Sequence, residues 1–115
     1  MDLVQFQAKT LKFRSCLADL ILGGKKTTTW RLYDDKDLKN GDLLNFRVWE
    51  TGKDFAKAVI TGIKEKRIRE LKEEDFEGHE KFENEKDMVD QYREYYGDKV
   101  NTESVVKIIN FNLNR

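Results

Sequence analysis

Lys26, Thr29 and Arg31 bring an amine, a hydroxyl and a guanidinium together within six residues. These are groups that can serve as a base, a nucleophile and a donor to a developing or permanent anion. Strand alternation would put Thr27, Thr29 and Arg31 on one face, with Lys26 facing away. Lys26 therefore has to sit in the preceding turn to join them. The same residues also suit a plain helix end, in which Gly24 is a C-cap, Lys25 and Lys26 neutralise the helix C-terminus, and the threonines are ordinary strand residues.

The elements on either side are legible. Leu17, Leu20, Ile21 and Leu22 recur at helical spacing after Ser15, an expected N-cap, and Gly23 and Gly24 end that helix. Thr27, Thr28, Thr29 and Trp30 favour an extended chain to about Tyr33, because β-branched and aromatic side chains pack well on a pleated surface. Lys9 to Phe13 is expected as a first strand, and Asp34-Asp35-Lys36-Asp37 and Asn40-Gly41 as turns. In the next strand, Leu43 to Trp49, Leu44, Phe46 and Val48 share one face. Thr51-Gly52-Lys53-Asp54 then leads to a strand from Phe55 to about Ile68, with Ala56, Ala58 and Ile60 alternating. Three successive strands joined by turns predict an antiparallel meander.

Residues 69–83 are locally helical and then irregular. A helix follows from Asn84, with Met88, Val89, Tyr92, Tyr95 and Tyr96 at helical spacing and Gly97 past its end. Its tyrosines read as core and rim packing. Val105 to Leu113 is the last strand, with Val105, Lys107, Ile109, Phe111 and Leu113 on one face.

Composition narrows the classes. At 115 residues the chain is expected to form one domain, 1–115. Charged residues make up 38 %, against a usual share of about 25 %, so the core is small and the surface heavily charged. The balance of 22 basic and 22 acidic residues argues against a general nucleic-acid coat. Residues 1–33 nevertheless carry six bases against two acids, and residues 70–98 carry twelve acids against four bases. A basic, RNA-facing surface is expected from the first third. No stretch reaches the roughly 20 apolar residues of a membrane span, so a soluble, cytoplasmic protein is expected. Cys16 is the lone cysteine and is expected to be a buried thiol. With a single histidine, His79, expected in a polar turn as an exposed residue or a local hydrogen-bond partner, or else at the cavity mouth, zinc chemistry of the deaminase kind lacks ligands.

The turn, with Gly24, Lys26 two residues on, and Thr29 two before Arg31, resembles the signature of ASCH domains. The similarity extends through Asn40-Gly41-Asp42-Leu43-Leu44, Glu77-Gly78, the tyrosine-rich helix before Gly97 and the closing strand. ASCH domains resemble the RNA-binding PUA domains, and some small members are amidohydrolases that deacetylate acetylcytidine. The resemblance implies an α+β fold, a small PUA-like β-barrel of about five to six mainly antiparallel strands with two or three helices. It implies RNA or a modified nucleoside as partner, with neither membrane nor DNA, and no cofactor or metal. It assigns Lys26, Thr29 and Glu77 as catalytic, with Glu80 as the other candidate for the acid, and Gly24, Lys25, Trp30 and Arg31 as binding residues. Trp30 would pack in the barrel or stack on a nucleobase. The sequence departs from the amidohydrolase pattern in the spacing around Glu77 and in carrying Trp30 in place of a smaller aliphatic.

Lys26 acts as a base only when neutral, which near pH 7 requires lowering its pKa by about three units at about 4 kcal/mol. Two assignments follow: Lys26 as base with Glu77 relaying the proton, or Glu77 as base with protonated Lys26 over the oxyanion. A non-catalytic RNA-binding module, or a metal-dependent ribonuclease using acids between Glu73 and Glu80, remains as an alternative.

Overall fold

A computed structural model describes residues 8–33 and 36–114; Asp34 and Asp35, where a turn is expected, lie outside the described residues. The order is β1 (Lys9–Phe13), α1 (Ser15–Leu22), β2 (Thr28–Leu32), β3 (Leu43–Val48), β4 (Asp54–Arg67), α2 (Glu85–Tyr96) and β5 (Val105–Leu113). Two single 3-10 turns, Ile68–Glu70 and Glu73–Phe76, lie between β4 and α2. The five strands form one curled sheet in the order β1-β3-β4-β5-β2, giving the small α+β, PUA-like barrel architecture.

The expected meander is corrected by this order. β3 and β4 do form an antiparallel hairpin, but β2 pairs with β5, from Thr28 opposite Asn110 to Leu32 opposite Val106. The place beside β3 goes to β1, in parallel. Alternation marks a segment as a strand without naming its neighbour, and here the apolar face of β2 is completed by distant residues. Trp30 lies opposite Ile108 and Leu32 opposite Val106.

β4 serves two partners along its 14 residues. Its first part pairs with β3 and its longer remainder with β5. A register shift between Ile60 and Gly62 bends it, as bulges do where a sheet curls. The curl leaves two cores. Inside it, Leu11, Phe13, Leu44, Phe46, Ile60, Ile109 and Phe111 pack with Ile21 of α1. On the outer face Trp30, Leu32, Ile68, Val106 and Ile108 pack with Met88, Val89 and Tyr92 of α2. Strand β5 thus contributes to both, burying Val106 and Ile108 as well as Ile109 and Phe111, while Val105 is exposed.

Ser15 is not the N-cap of α1. It is the first helical residue, and its N–H and hydroxyl both donate to the carboxylate of Glu50, at 2.9 and 3.1 Å. A residue from the β3–β4 turn therefore satisfies a helix end that has no side-chain cap of its own. Because α1 turns Ala18 and Ile21 inward, Cys16 faces out and is exposed, contrary to expectation. Asn84 does cap α2, its Oδ1 accepting from Asp87 N–H at 2.7 Å.

Phe46 is fully buried, with Phe13 and Phe111 each meeting it edge-on at 4.9 Å. Phe46→Ala is expected to lower the unfolding free energy by about 3–5 kcal/mol, read from urea denaturation, because an aromatic cavity in so small a core cannot collapse fully.

Candidate functional site

The turn after α1 delivers Lys26 to the interior. Gly24, at φ +76°, allows a Schellman ending in which its N–H bonds to Ile21 O at 3.0 Å and Lys25 N–H to Leu20 O at 2.9 Å. Lys26 N–H also reaches Leu20 O, at 3.1 Å. The chain turns sharply enough that the Lys26 side chain points inward and keeps only 3 % exposure. The start of β2 is then clamped from the other side, where Gly78 O accepts from both Thr27 N–H and Thr28 N–H, at 2.9 and 3.1 Å. At φ +75°, and with a Cβ falling 2.1 Å from Thr27 Oγ1, position 78 admits only glycine without distortion.

Lys26 Nζ donates to Glu80 Oε2 at 2.7 Å and to Thr28 O at 2.9 Å. Thr29, 4 % exposed, shares the inner face of β2 with Arg31, and its hydroxyl has no hydrogen-bond partner among the described residues. Arg31 Nη2 donates to Lys12 O of β1 at 3.1 Å, and its guanidinium lies over Phe13 at 5.0 Å. β1 and β2 are the two outer strands of the sheet, so this bond spans the seam where the curl brings its edges together. Along the seam lies a cavity of about 620 Å³ lined by Lys26, Thr29, Arg31, His79 and Glu80. Its rims carry Lys12, Arg14 and Trp49 on one side and Gln91, Tyr92 and Tyr95 of α2 on the other.

The expected acid is corrected by the same geometry. Glu77 is exposed and lines a different, shallow depression with Thr28, Lys64, Asp75 and Asn110; its contact with β2 is made by its carbonyl, which accepts from Thr28 Oγ1 at 3.3 Å. Gly78 reverses the chain between them, so that Glu77 falls on one side of β2 and Glu80 on the other. Lys25 is exposed and Gly24 shapes the turn, and neither lines the cavity. Trp30 borders the cavity but belongs to the outer core, and one ring face is covered by the His79 imidazole at 4.1 Å and 18°. That face is closed to a nucleobase. Of the readings open for His79, exposure does not hold, since its side chain is 3 % exposed; it is a local hydrogen-bond partner, Nδ1 lying 2.7 Å from Glu80 O, and it lines the cavity. The signal that could have placed it is the flanking pair Phe76 and Phe82, both packed on Trp30.

No family model matches the sequence, and no curated protein sequence does. Solved structures match in shape. An Enterococcus faecalis protein superposes with a TM-score of 0.78 at 15 % identity, over 96 % of this chain and 82 % of that one. The ASCH domain of Lactobacillus crispatus gives 0.66 at 18 % identity, over 94 % of this chain and 80 % of that one. The chain has the ASCH-domain fold. A Pyrococcus furiosus protein is also similar, with a TM-score of 0.63 at 25 % identity over 93 % of this chain and 97 % of that one.

Within this ASCH fold the electrostatics of the cavity follow from burial. Burial lowers the pKa of Lys26; the Glu80 charge and hydrogen bond oppose this and Arg31 reinforces it, leaving the amine below its usual value. Burial would raise the Glu80 carboxyl, but the neighbouring cation and the hydrogen bond from Lys26 hold it below the usual range. Burial and the Lys26 charge push His79 down to about 4, against the pull of Glu80, so the imidazole is neutral near pH 7. Among the described residues no three of His, Cys, Asp and Glu converge closely enough to hold a metal ion. Among them, too, no helix is long and apolar enough to cross a membrane.

Two substitutions test this geometry. Gly78→Ala is expected to cost more than about 1–2 kcal/mol, the penalty of the left-handed backbone alone, because its Cβ would also meet Thr27 Oγ1 at 2.1 Å; it should lower the thermal midpoint and pull Glu80 away from Lys26. Glu80→Gln removes the charge that raises the Lys26 pKa, so the lysine ammonium should titrate lower than in the parent protein when followed by side-chain NMR.

Proposed function

We propose that this ASCH domain binds a modified nucleoside or an RNA base in the seam cavity and hydrolyses the acetyl amide of acetylcytidine. Lys26, Thr29 and Glu80 would carry the reaction. The observation that carries the reading is a buried amine, depressed by burial, lining one cavity with a threonine hydroxyl that has no hydrogen-bond partner among the described residues. Amide hydrolysis requires a nucleophile, a base for it and a path returning the proton to the leaving amine.

Neutral Lys26 takes the proton from Thr29 as Oγ1 attacks the acetyl carbonyl carbon. Arg31, two residues along the same strand face, faces the resulting oxyanion. Lys26 passes its proton through Glu80 to the departing cytidine nitrogen, the C–N bond breaks, and the acetyl group is left as an ester on Thr29. Water, deprotonated by Lys26, attacks that ester, and acetate leaves as the threonine hydroxyl regains a proton. Glu80 suits the relay because its side chain is 35 % exposed while Lys26 is 3 % exposed, so it joins the buried amine to solvent.

One observation favours a second reading, RNA binding without chemistry. Lys12 and Arg14 stand on one rim with Trp49, and Tyr95 stands on the other; the two aromatics are 57 and 58 % exposed. Cations and exposed aromatic rings together suit single-stranded RNA, although Arg14 already covers one face of Trp49 at 4.4 Å.

Incubation of the purified protein with acetylcytidine, with cytidine followed by chromatography, separates the readings. Lys26→Ala and Thr29→Ala are expected to lose at least about 100-fold, Glu80→Gln to fall with them, and Glu77→Gln to stay near the parent rate. Activity should rise with pH as Lys26 loses its proton, along a limb lying below 10.5. Absence of turnover at every pH, together with RNA affinity that falls steeply with salt, would transfer the assignment to the binding module.

A further inference from the structure

His79 has a nitrogen that the proposed chemistry does not use. Its Nδ1 lies 2.7 Å from the carbonyl oxygen of Glu80, and a carbonyl only accepts, so Nδ1 carries the proton. In the neutral imidazole Nε2 is then a lone-pair acceptor. Among the described residues Nε2 has no hydrogen-bond partner, and it is not one of the enclosed side-chain atoms that lack one; on a side chain only 3 % exposed whose ring borders the cavity, Nε2 opens onto that cavity. Stacking on Trp30 at 4.1 Å holds the ring plane, and the Nδ1 bond holds its rotation, so Nε2 is fixed in place.

The neighbours explain why this acceptor is preserved. Lys26, Arg31 and Glu80 line the same cavity, and Nδ1 lies 3.7 Å from Glu80 Oε2, the oxygen that also takes the Lys26 bond. One carboxylate therefore faces two nitrogen bases, and the Lys26 ammonium occupies it at 2.7 Å. A second proton on His79 would set two cations against one anion in a buried wall. The two cationic groups lining the cavity with it, the Lys26 amine and the Arg31 guanidinium, are donors when charged. His79 supplies a neutral acceptor among them.

We propose that His79 Nε2 is a specificity-determining acceptor that reads an N–H donor on the ligand, so that the cavity selects a secondary amide over one whose nitrogen carries a second carbon substituent. This deepens the acetylcytidine reading and rests on it, because in that substrate the N–H sits on the nitrogen of the bond to be cleaved.

His79 is the only histidine of the chain, so histidine-labelled protein gives a single pair of imidazole nitrogen resonances. The free protein is expected to show the neutral Nδ1–H tautomer at pH 7; the other tautomer would overturn the proposal. Adding acetylcytidine to the slowed Thr29→Ala protein should move the Nε2 resonance, and N4-acetyl-N4-methylcytidine should not. In steady state His79→Phe, which keeps an aromatic ring against Trp30, should lower kcat/KM for acetylcytidine about tenfold, the effect of one hydrogen bond, and leave the methylated analogue unchanged. Equal losses on both substrates, or hydrolysis with an unmoved Nε2, would overturn it. If acetylcytidine is neither bound nor hydrolysed, the substrate reading falls separately. N-methylacetamide against N,N-dimethylacetamide then decides the acceptor role: a shift with the first alone supports it, and none with either overturns it.

Discussion

An ammonium taken out of water costs several kcal/mol unless charge and hydrogen bonds replace what the solvent gave. Lys26 is in that position, and much of the structure around it supplies the replacement. Its carboxylate partner comes from 54 residues further along the chain and its second acceptor from the Thr28 carbonyl. Holding these in place requires the left-handed turn at Gly24, the double hydrogen bond from Gly78 O to the start of β2, and the pairing of β2 with β5. The buried amine is the reason that three remote segments share one geometry.

β2 divides the labour by alternation. Thr29 and Arg31 face inward toward the seam, while Trp30 and Leu32 face α2 and the outer core and Thr28, on that same face, bonds Asn110; both sets are largely buried. The outer set fixes the strand so that the inner set needs little support of its own. His79 links the two, stacking on an outer-face tryptophan while its Nδ1 is bound to the carbonyl of the residue that pairs with Lys26.

Much of this was legible in the sequence. Alternation located β3 and β5, spacing and Asn84 located α2, and the turn glycines put Lys26 off the strand and beside Thr29 and Arg31. What escaped has physical causes. The neighbour of β2 depends on cross-strand partners about 80 residues away, such as Thr28 opposite Asn110. The choice between Glu77 and Glu80 lay in a stretch of single 3-10 turns without periodicity, where one positive φ at Gly78 decides which side of β2 each residue takes. Cys16 followed from the rotation of an eight-residue helix so largely apolar that only Ser15 and Asp19 are left to set its phase. His79 looked polar because its neighbours are charged, although the aromatics that bury it lie three residues to either side.

The arginine that crosses from β2 to the Lys12 carbonyl gives the sheet an unusual joint. Elsewhere neighbouring strands are laced by runs of backbone hydrogen bonds, whereas at this seam a side chain reaches across. Backbone ladders fix strand separation to within a few tenths of an ångström, but a long guanidinium arm tolerates change in length and angle. The width of the cavity is thus set by a flexible tie between two edges. The sheet can therefore yield at this joint through side-chain rotation, without breaking a backbone ladder.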